Sequence, residues 1–432
     1  MNKRLANILL LIFKSSYFII PVGILYFLIH PWFIFELTTI KMCAVLFVCL
    51  FIFSHIYNAF DVKSFAFSKL LSAQIIVLAF SYITIQFTLW VNDRNYLNFK
   101  ETSIFFLLTL VLHILITKLL LHFKVRYIGK KKTIVIAGNC VKENLLKQLS
   151  RVSSTYDIVK TFDNSTDWNT IESALKNIDC IIIDEISNEI KNKVLNFGFI
   201  NRKQIIVVPT IEDIMIKTSY DLNEIDSPFL VISNYGPRIY ERIVKRSIDF
   251  LGSLILTIIV SPIMLIVAVA IKSYDKGPAL YSQTRLTLNG KTFKVYKFRS
   301  MIVNAEKNGA QLAKEHDDRI TPIGKIIRKY RLDELPQLFN ILKGDMSFVG
   351  PRPERPEIAT KYEEELPQFK YRLNVKAGLT GYAQVYGRYN TTPKDKLKLD
   401  FFYISKFSLL LDLELLLKTF QILFEKESTE GF

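Results

Sequence analysis

The first 123 residues read as four long apolar runs, near 8–29, 37–57, 69–91 and 103–122, separated by polar breaks. Each run approaches the ~20 residues that a helix needs to cross a bilayer. The breaks are His30-Pro31, the region of Asp61 and Lys63, and Asn92-Asp93-Arg94 with Lys100-Glu101. Lys3 and Arg4 precede the first run, and Lys124, Arg126 and Lys130 to Lys132 follow the last. That bias predicts a four-helix transmembrane region over 1–123 with both ends in the cytoplasm. Lys14, Lys41 and Lys118 lie within or near the runs, where long stems can carry a charge to the interface.

The pattern changes at Lys130. Short β-rich runs at 133–137, 157–162, 179–184, 204–209 and 229–232 alternate with helical patterns such as 142–149 and 170–176. Alternation of this kind predicts a parallel, doubly wound sheet, so 131–235 is expected to be a Rossmann-like α/β domain. The first strand ends in Ile136-Ala137-Gly138-Asn139, the turn at which such folds hold a nucleotide phosphate. A dinucleotide site wants G-x-G-x-x-G there. Only Gly138 is present, with Cys140 and Glu143 at the other two positions, which favours a packing or regulatory role over nucleotide binding.

A fifth apolar run, Ile248 to Ile271 within Lys245–Lys272, also exceeds the length of a span. Ser261-Pro262 interrupts it, and proline removes a helix hydrogen bond. Basic residues flank both ends, Lys245 and Arg246 before and Lys272 and Lys276 after, whereas a span shows its positive charge on one side. These features predict a re-entrant helical hairpin that enters one leaflet and returns, with an ordinary kinked span as the alternative. The last leucine-rich stretch, Ser408 to Phe424, carries Asp412, Glu414 and Lys418 and reads as an interfacial amphipathic helix.

Composition narrows the class. Of 432 residues half are hydrophobic, 33 of them Phe, which points to membrane segments beyond a soluble core. The formal charge of +16 suits anionic lipid or a phosphorylated substrate, and nucleic acid is not expected as a partner. Cys43, Cys49, Cys140 and Cys180 show no metal-binding spacing and read as reduced, structural thiols. No cleavable signal peptide is evident at the N-terminus.

The candidate chemistry lies after the fifth run. Two β-patterned stretches flank Asn289-Gly290, a tight-hairpin signal, and the second delivers Lys294, Lys297 and Arg299. Thr321-Pro322 opens a helical pattern with Ile323, Ile326, Ile327 and Tyr330 on one side. Leu332-Asp333-Glu334-Leu335-Pro336 then begins another helix with an apolar stripe of Leu335, Leu338, Phe339 and Leu342. Proline belongs in a first turn, so Asp333 is expected beside the N-cap, where the helix dipole would hold both carboxylates ionised. An ionised carboxylate can coordinate Mg²⁺ or attack phosphorus. Gly350-Pro351-Arg352-Pro353, Gly378-Leu379-Thr380-Gly381 and Gly387-Arg388 add rigid or glycine-rich turns that present arginines. Arg328, Arg352 and Arg388 suit phosphate through their bidentate fork.

KRSIDF with its later Ser-Pro, KVYKFRSM, LDELPQLFNILKGDMSFVGPRP, GLTGYAQVYGR and LDFFYISKFSLLLDL occur in that order. Residues from about 242 onward therefore resemble the bacterial sugar transferase family, the polyprenyl-phosphate hexose-1-phosphate transferases, and the whole arrangement is similar to its large members. The resemblance implies a catalytic domain over 242–432. It also implies transfer of a sugar-1-phosphate from a UDP-sugar, glucose or galactose by family habit, to undecaprenyl phosphate. In that scheme Asp333 is the nucleophile, Glu334 its partner in Mg²⁺ and charge handling, and UMP the first product. Arg328, Arg352, Arg388, Lys297 and Arg299 would hold phosphates. Lys245-Arg246 would be the basic pair before the re-entrant helix, and Ser261-Pro262 its break. The resemblance places the protein in the bacterial inner membrane, its catalytic domain on the cytoplasmic face, at the head of exopolysaccharide, capsule or O-antigen assembly. Homo-oligomerisation stays open. The alternative from another class is a non-catalytic scaffold or regulator of polysaccharide export. Leu286-Thr287, Lys376-Ala377 and Tyr382 depart from the family's usual residues without removing a charged motif position.

Overall fold

Four helices form where the apolar runs predict them: α1 (Lys3–Ile29), α2 (Leu37–Ile56), α3 (Phe67–Asn92) and α4 (Phe99–Phe123). The computed structural model describes residues 3–29, 37–59, 67–92, 99–123, 129–150, 155–222, 229–232, 236–303, 317–387 and 391–423. Within them the chain divides into two units, Met1–Val208 and Pro209–Phe432.

In the first unit the four helices hide polar groups and expose apolar ones. The Thr117 hydroxyl donates to Gln74 Oε1 at 2.7 Å, and Gln86 Nε2 donates to Thr102 Oγ1 at 2.6 Å. Phe47, Phe51, Phe87 and Leu107 face outward. Such an inside-out distribution suits a lipid surround, where polar groups must find partners within the protein. Leu70–Thr88 and Lys100–His122 are long and apolar enough to cross a membrane, while Leu11–Phe27 and Ile40–Ile56 are shorter apolar stretches.

The same unit holds the α/β domain. β1 (Lys131–Ala137), α5 (Asn139–Ser150), β2 (Tyr156–Phe162), α6 (Trp168–Leu175), β3 (Cys180–Asp184), α7 (Asn188–Ile200) and β4 (Gln204–Val207) alternate as expected. The strands form one parallel sheet in the order β2-β1-β3-β4. At the ends of β1 and β3, where doubly wound folds bind ligands, the Asn164 amide donates to the Glu185 carbonyl at 3.2 Å. Gly138 sits directly beneath, its missing Cβ 2.9 Å from that carbonyl oxygen. Cys43, Cys49 and Cys180 are free thiols, as expected.

The sheet ends at β4. α8 (Ile211–Lys217) belongs to the second unit, capped by Thr210 and Asp213 and packed with Phe369, Leu397 and Phe401. β5 (Tyr220–Leu222) and β6 (Phe229–Val231) pair antiparallel with each other. The expected fifth strand near 229–232 is therefore no member of the parallel sheet.

α9 (Ile239–Asp275) is one continuous helix with Pro262 inside it, where a two-armed hairpin was expected. At 1.5 Å per residue its 37 residues run about 55 Å. Proline leaves the carbonyl of Ile258 without its usual N–H partner, and the Ser261 hydroxyl donates to that oxygen at 2.8 Å. The adjacent serine thus repairs the bond that the proline removes.

β7 (Leu280–Leu286) and β8 (Thr292–Phe298) form the predicted hairpin, with Asn289 and Gly290 both at positive φ in its turn. The rest comprises α10 (Pro322–Lys329), a 3₁₀ turn at Leu332–Glu334, α11 (Gln337–Lys343), β9 (Ser347–Val349), α12 (Pro356–Glu365), a 3₁₀ stretch at Pro367–Asn374, β10 (Gly378–Thr380), α13 (Tyr382–Tyr386), α14 (Pro393–Ser405) and α15 (Leu409–Leu423). β9 and β10 pair in parallel. Leu338 and Ile341 of α11, Phe348 and Val349 of β9, and Tyr403 and Leu415 share one core. Of the stripe predicted on α10, Ile327 is buried, but Ile326 and Tyr330 face outward. On α15 the polar Asp412 and Lys418 are buried while Leu410, Leu413 and Phe420 are exposed.

Candidate active site

The dyad sits in the 3₁₀ turn Leu332–Glu334, one step ahead of α11, whose N-cap position is Pro336. Arg331, immediately before it, adopts the left-handed conformation (φ 53°), a strained choice for a non-glycine residue. Asn340 ties this region to β8. Its amide donates to the Lys294 carbonyl at 2.7 Å and its oxygen accepts from the Tyr296 N–H at 3.0 Å. That pair of bonds fixes the dyad's helix against the strand carrying Lys297.

Lys297 Nζ lies 2.8 Å and Arg352 Nη2 3.1 Å from the same Glu334 oxygen. Asp333 makes no hydrogen bond or ion pair among the described residues, although Lys297, Arg328 and Arg352 all act on its charge. The two neighbours therefore titrate apart. Burial and the Glu334 charge push the Asp333 carboxyl up to about 6, against the pull of those three cations. Lys297 and Arg352 hold Glu334 well below the ordinary carboxylate range despite its burial. Burial and the neighbouring Glu334 charge thus oppose the ionisation of Asp333 that a helix dipole was expected to favour, while Glu334 stays ionised.

Of the other expected phosphate ligands, Arg328 is buried in the last turn of α10, close enough to lower Asp333. Arg299 pairs with Asp275 at the end of α9 and packs over Gly277. Arg388 lies outside the described residues. The flanking cations of α9 are built into the fold. Lys245 pairs with Asp412 of α15, and Arg246 donates to the Ile341 and Leu342 carbonyls at 2.6 and 2.7 Å. The resemblance gives them as the basic pair before a re-entrant helix, and here they join helices. Asp249, one turn on, accepts from the Ser347 hydroxyl and the Phe348 N–H at 3.1 and 3.0 Å.

Three arginines escaped the sequence reading. Arg331 acts on Glu334, and its Nε is buried without a hydrogen-bond partner among the described residues. Arg285 and Arg372 donate to carbonyls of the loop carrying Arg352. Arg331 adjoins the dyad in sequence and could have been found. The other two are remote in sequence and carry no local signal.

Two carboxylates offer hard oxygen donors of the kind Mg²⁺ takes one or two at a time, completing its shell with phosphates and water. No cluster of three or more potential metal-ligating side chains occurs among the described residues. The donor set fits a metal shared with substrate rather than a closed protein cage.

Apolar helices in the one unit and a carboxylate–arginine site in the other define a membrane-associated protein equipped to handle anions. The family described as bacterial sugar transferase matches residues 240–426, and the chain belongs to it. It is 45% identical over 179 residues to the UDP-N-acetylgalactosamine-undecaprenyl-phosphate N-acetylgalactosaminephosphotransferase of Aeromonas hydrophila, covering 41% of this chain and 42% of that protein. A putative undecaprenyl-phosphate N-acetylgalactosaminyl 1-phosphate transferase of Bacillus subtilis is 49% identical over 130 residues, 30% of this chain and 73% of its own. A UDP-glucose:undecaprenyl-phosphate glucose-1-phosphate transferase of Caulobacter vibrioides is 38% identical over 188 residues, 42% of this chain and 70% of its own. The chain thus spans less than half of the Aeromonas relative and over two thirds of the other two.

Proposed function

We propose that the protein transfers a sugar-1-phosphate from a UDP-sugar to undecaprenyl phosphate through a covalent intermediate on Asp333. The observation that carries this reading is the split dyad, with Glu334 engaged by two cations and Asp333 left unpaired among them. In the first step an Asp333 carboxylate oxygen attacks the β-phosphorus of the donor. The bond from that phosphorus to the bridging oxygen breaks, and UMP leaves with the electron pair. In the second, a phosphate oxygen of the acceptor attacks the same phosphorus and Asp333 is released as carboxylate. Arg328, Arg352 and Lys297 offset charge on the transferring group. Mg²⁺ held by Asp333, Glu334 and donor phosphates would supply further charge neutralisation. Arg388 would add to phosphate binding, while Arg299 is committed to Asp275.

The test is to incubate the protein with donor labelled in the sugar and without acceptor. A sugar-phosphate adduct should form on the wild-type chain and be absent from Asp333→Asn. No adduct on a wild-type preparation that goes on to label the lipid once acceptor is added would refute the covalent role. The names of the relatives add N-acetylgalactosamine to glucose and galactose as donors for the panel.

We further propose that both ends of α9 lie on one face of the membrane, the cytoplasmic face of the inner membrane. Its two ends support this. Arg246 bonds the end of α11 and Asp275 pairs with Arg299 of the same catalytic unit, so a true crossing would drive that unit through the ~30 Å hydrocarbon core. Single cysteines at the exposed Tyr240 and Lys276, in a chain otherwise free of cysteine, should both label from the cytoplasmic side; labelling from opposite sides would exclude the re-entrant placement.

A further inference from the structure

The loop that carries Arg352 toward the dyad holds none of its own carbonyls. Pro351 and Pro353 have no N–H to donate, so the loop has fewer donors for closing on itself. Instead four successive carbonyl oxygens accept from four outside groups. Gly378 N donates to Pro351 O at 2.9 Å and Arg372 Nη2 to Arg352 O at 3.1 Å. Arg285 Nη1 donates to Pro353 O at 3.1 Å and Leu286 N to Glu354 O at 3.0 Å. At the start of the loop Gly350 N donates to Thr380 O at 2.9 Å.

Two of the four clamps are arginine side chains that are themselves immobilised. Arg372, 4% exposed, is gripped by Asp400, 1% exposed, through Nε at 3.0 Å and Nη2 at 2.7 Å, with Glu354 at 3.5 Å. Arg285 is also held by the Gln283 amide oxygen at 2.7 Å. Burial first, and then the Arg352 and Arg355 charges against the opposing Glu354, bring its pKa down to about 10. A fold that places the half-buried Arg285 guanidinium beside Arg352 does so at an electrostatic disadvantage, and the Pro353 carbonyl is what Arg285 holds there.

By contrast the Arg352 side chain is 43% exposed, and a long exposed side chain reaching across 3.1 Å to Glu334 gains little unless its root is fixed. Backbone clamping removes that freedom before substrate arrives. We propose that Arg372 and Arg285 are positioning residues for the transfer reaction, acting through Arg352 by fixing the Gly350–Glu354 loop. The inference rests on the reading of Arg352 as a working part of the dyad site.

The test uses the full-length protein in detergent or nanodiscs with undecaprenyl phosphate and the UDP-sugar it uses most readily, following UMP release. Three changes are compared: Arg352→Ala, Arg285→Gln, and the paired Arg372→Met with Asp400→Leu. The paired change removes both buried charges together, so neither is left alone in the interior. Arg285→Gln supplies an independent arm should the paired variant fold poorly. In the wild-type background Arg285→Gln and the paired change should each lower kcat about tenfold or more. The loss should fall on kcat, with the KM for the UDP-sugar changing less than threefold. In the Arg352→Ala background the same changes should cost less than threefold. Fully additive losses in that background, or wild-type kcat in the single backgrounds, would overturn the positioning role while leaving the dyad reading intact. If Arg352→Ala itself left turnover unchanged, the reading of the site would fall and this inference with it.

Discussion

Replacing Asp333 by Asn should stabilise the protein while abolishing its activity. The native fold raises this carboxyl from its ordinary 3.8 to about 6. At 1.36 kcal/mol per pH unit that rise is worth about 3 kcal/mol. The sign follows from proton binding. Between about pH 4 and 6 the folded chain holds the proton that the unfolded chain has lost, so stability falls as pH rises through that window and stays low above it. Asparagine keeps the shape and never ionises. Asp333→Asn should therefore exceed the parent by up to about 3 kcal/mol at pH 7.5, and the difference should close toward pH 4. All three tryptophans, Trp32, Trp90 and Trp168, precede Pro209, so fluorescence would not report on the relevant unit. Hydrogen exchange of the buried amides of α11, corrected for intrinsic rates at each pH, measures opening where the dyad sits. A variant no more stable than the parent at pH 7.5, or equally more stable at pH 4, would refute the account of Asp333.

Two further changes probe its surroundings. Lys297→Met removes the nearest cation from Glu334 and one that helps to ionise Asp333, so the acid limb should move to higher pH. Turnover at pH 7.5 should fall about 10–100-fold, as for loss of one preorganised charge at a reacting centre; an unmoved acid limb in a pH–rate series would count against it. Arg246→Ala leaves the carbonyls of Ile341 and Leu342 without their charged donor. At about 1.5–3 kcal/mol per charged hydrogen bond, the C-terminal unit should lose roughly 3 kcal/mol, read as proteolytic susceptibility of α11. Protection equal to wild type would show that Arg246 is dispensable.

What the sequence made legible was local. The apolar runs before Lys124, the alternation after Lys130 and the Asn289-Gly290 turn each carry their period or turn chemistry within a few residues, and each reappears in the structure. The dyad could be located for the same reason. Its electrostatics could not, because they depend on Lys297 from β8 and Arg352 from a loop beyond β9 meeting at one oxygen of Glu334. The boundary near 235 moved to Pro209 because the cap at Thr210 starts a helix whose apolar face finds Phe369 and Phe401, some 150 to 190 residues away in sequence. Arg372 was invisible for the same reason, since its partner Asp400 and its acceptor Arg352 O lie on either side of it in separate elements.

Lys245–Lys272 shows the limit most plainly. Proline inside an apolar run reads as a break, and in water it would usually be one. In α9 the helix continues because Ser261 supplies the missing donor to Ile258 O, and an unsatisfied carbonyl in lipid would cost several kcal/mol. The helix also serves two environments at once. Asp249, Ser253, Val267 and Ile271 are buried on the side facing the catalytic unit, where Val260 and Met264 pack as well. Leu251, Ile255, Ile258, Ile259 and Ile266 are exposed on the other. A spanning helix in a bundle would turn apolar residues to lipid and small or polar ones to other helices. α9 instead keeps its buried carboxyl, Asp249, for the backbone of β9, directly after the helix that follows the dyad. The apolar face that suggests a membrane segment and the polar contacts that orient the site therefore belong to the same helix. A change that loosens α9 from the catalytic unit should disturb the dyad without touching it.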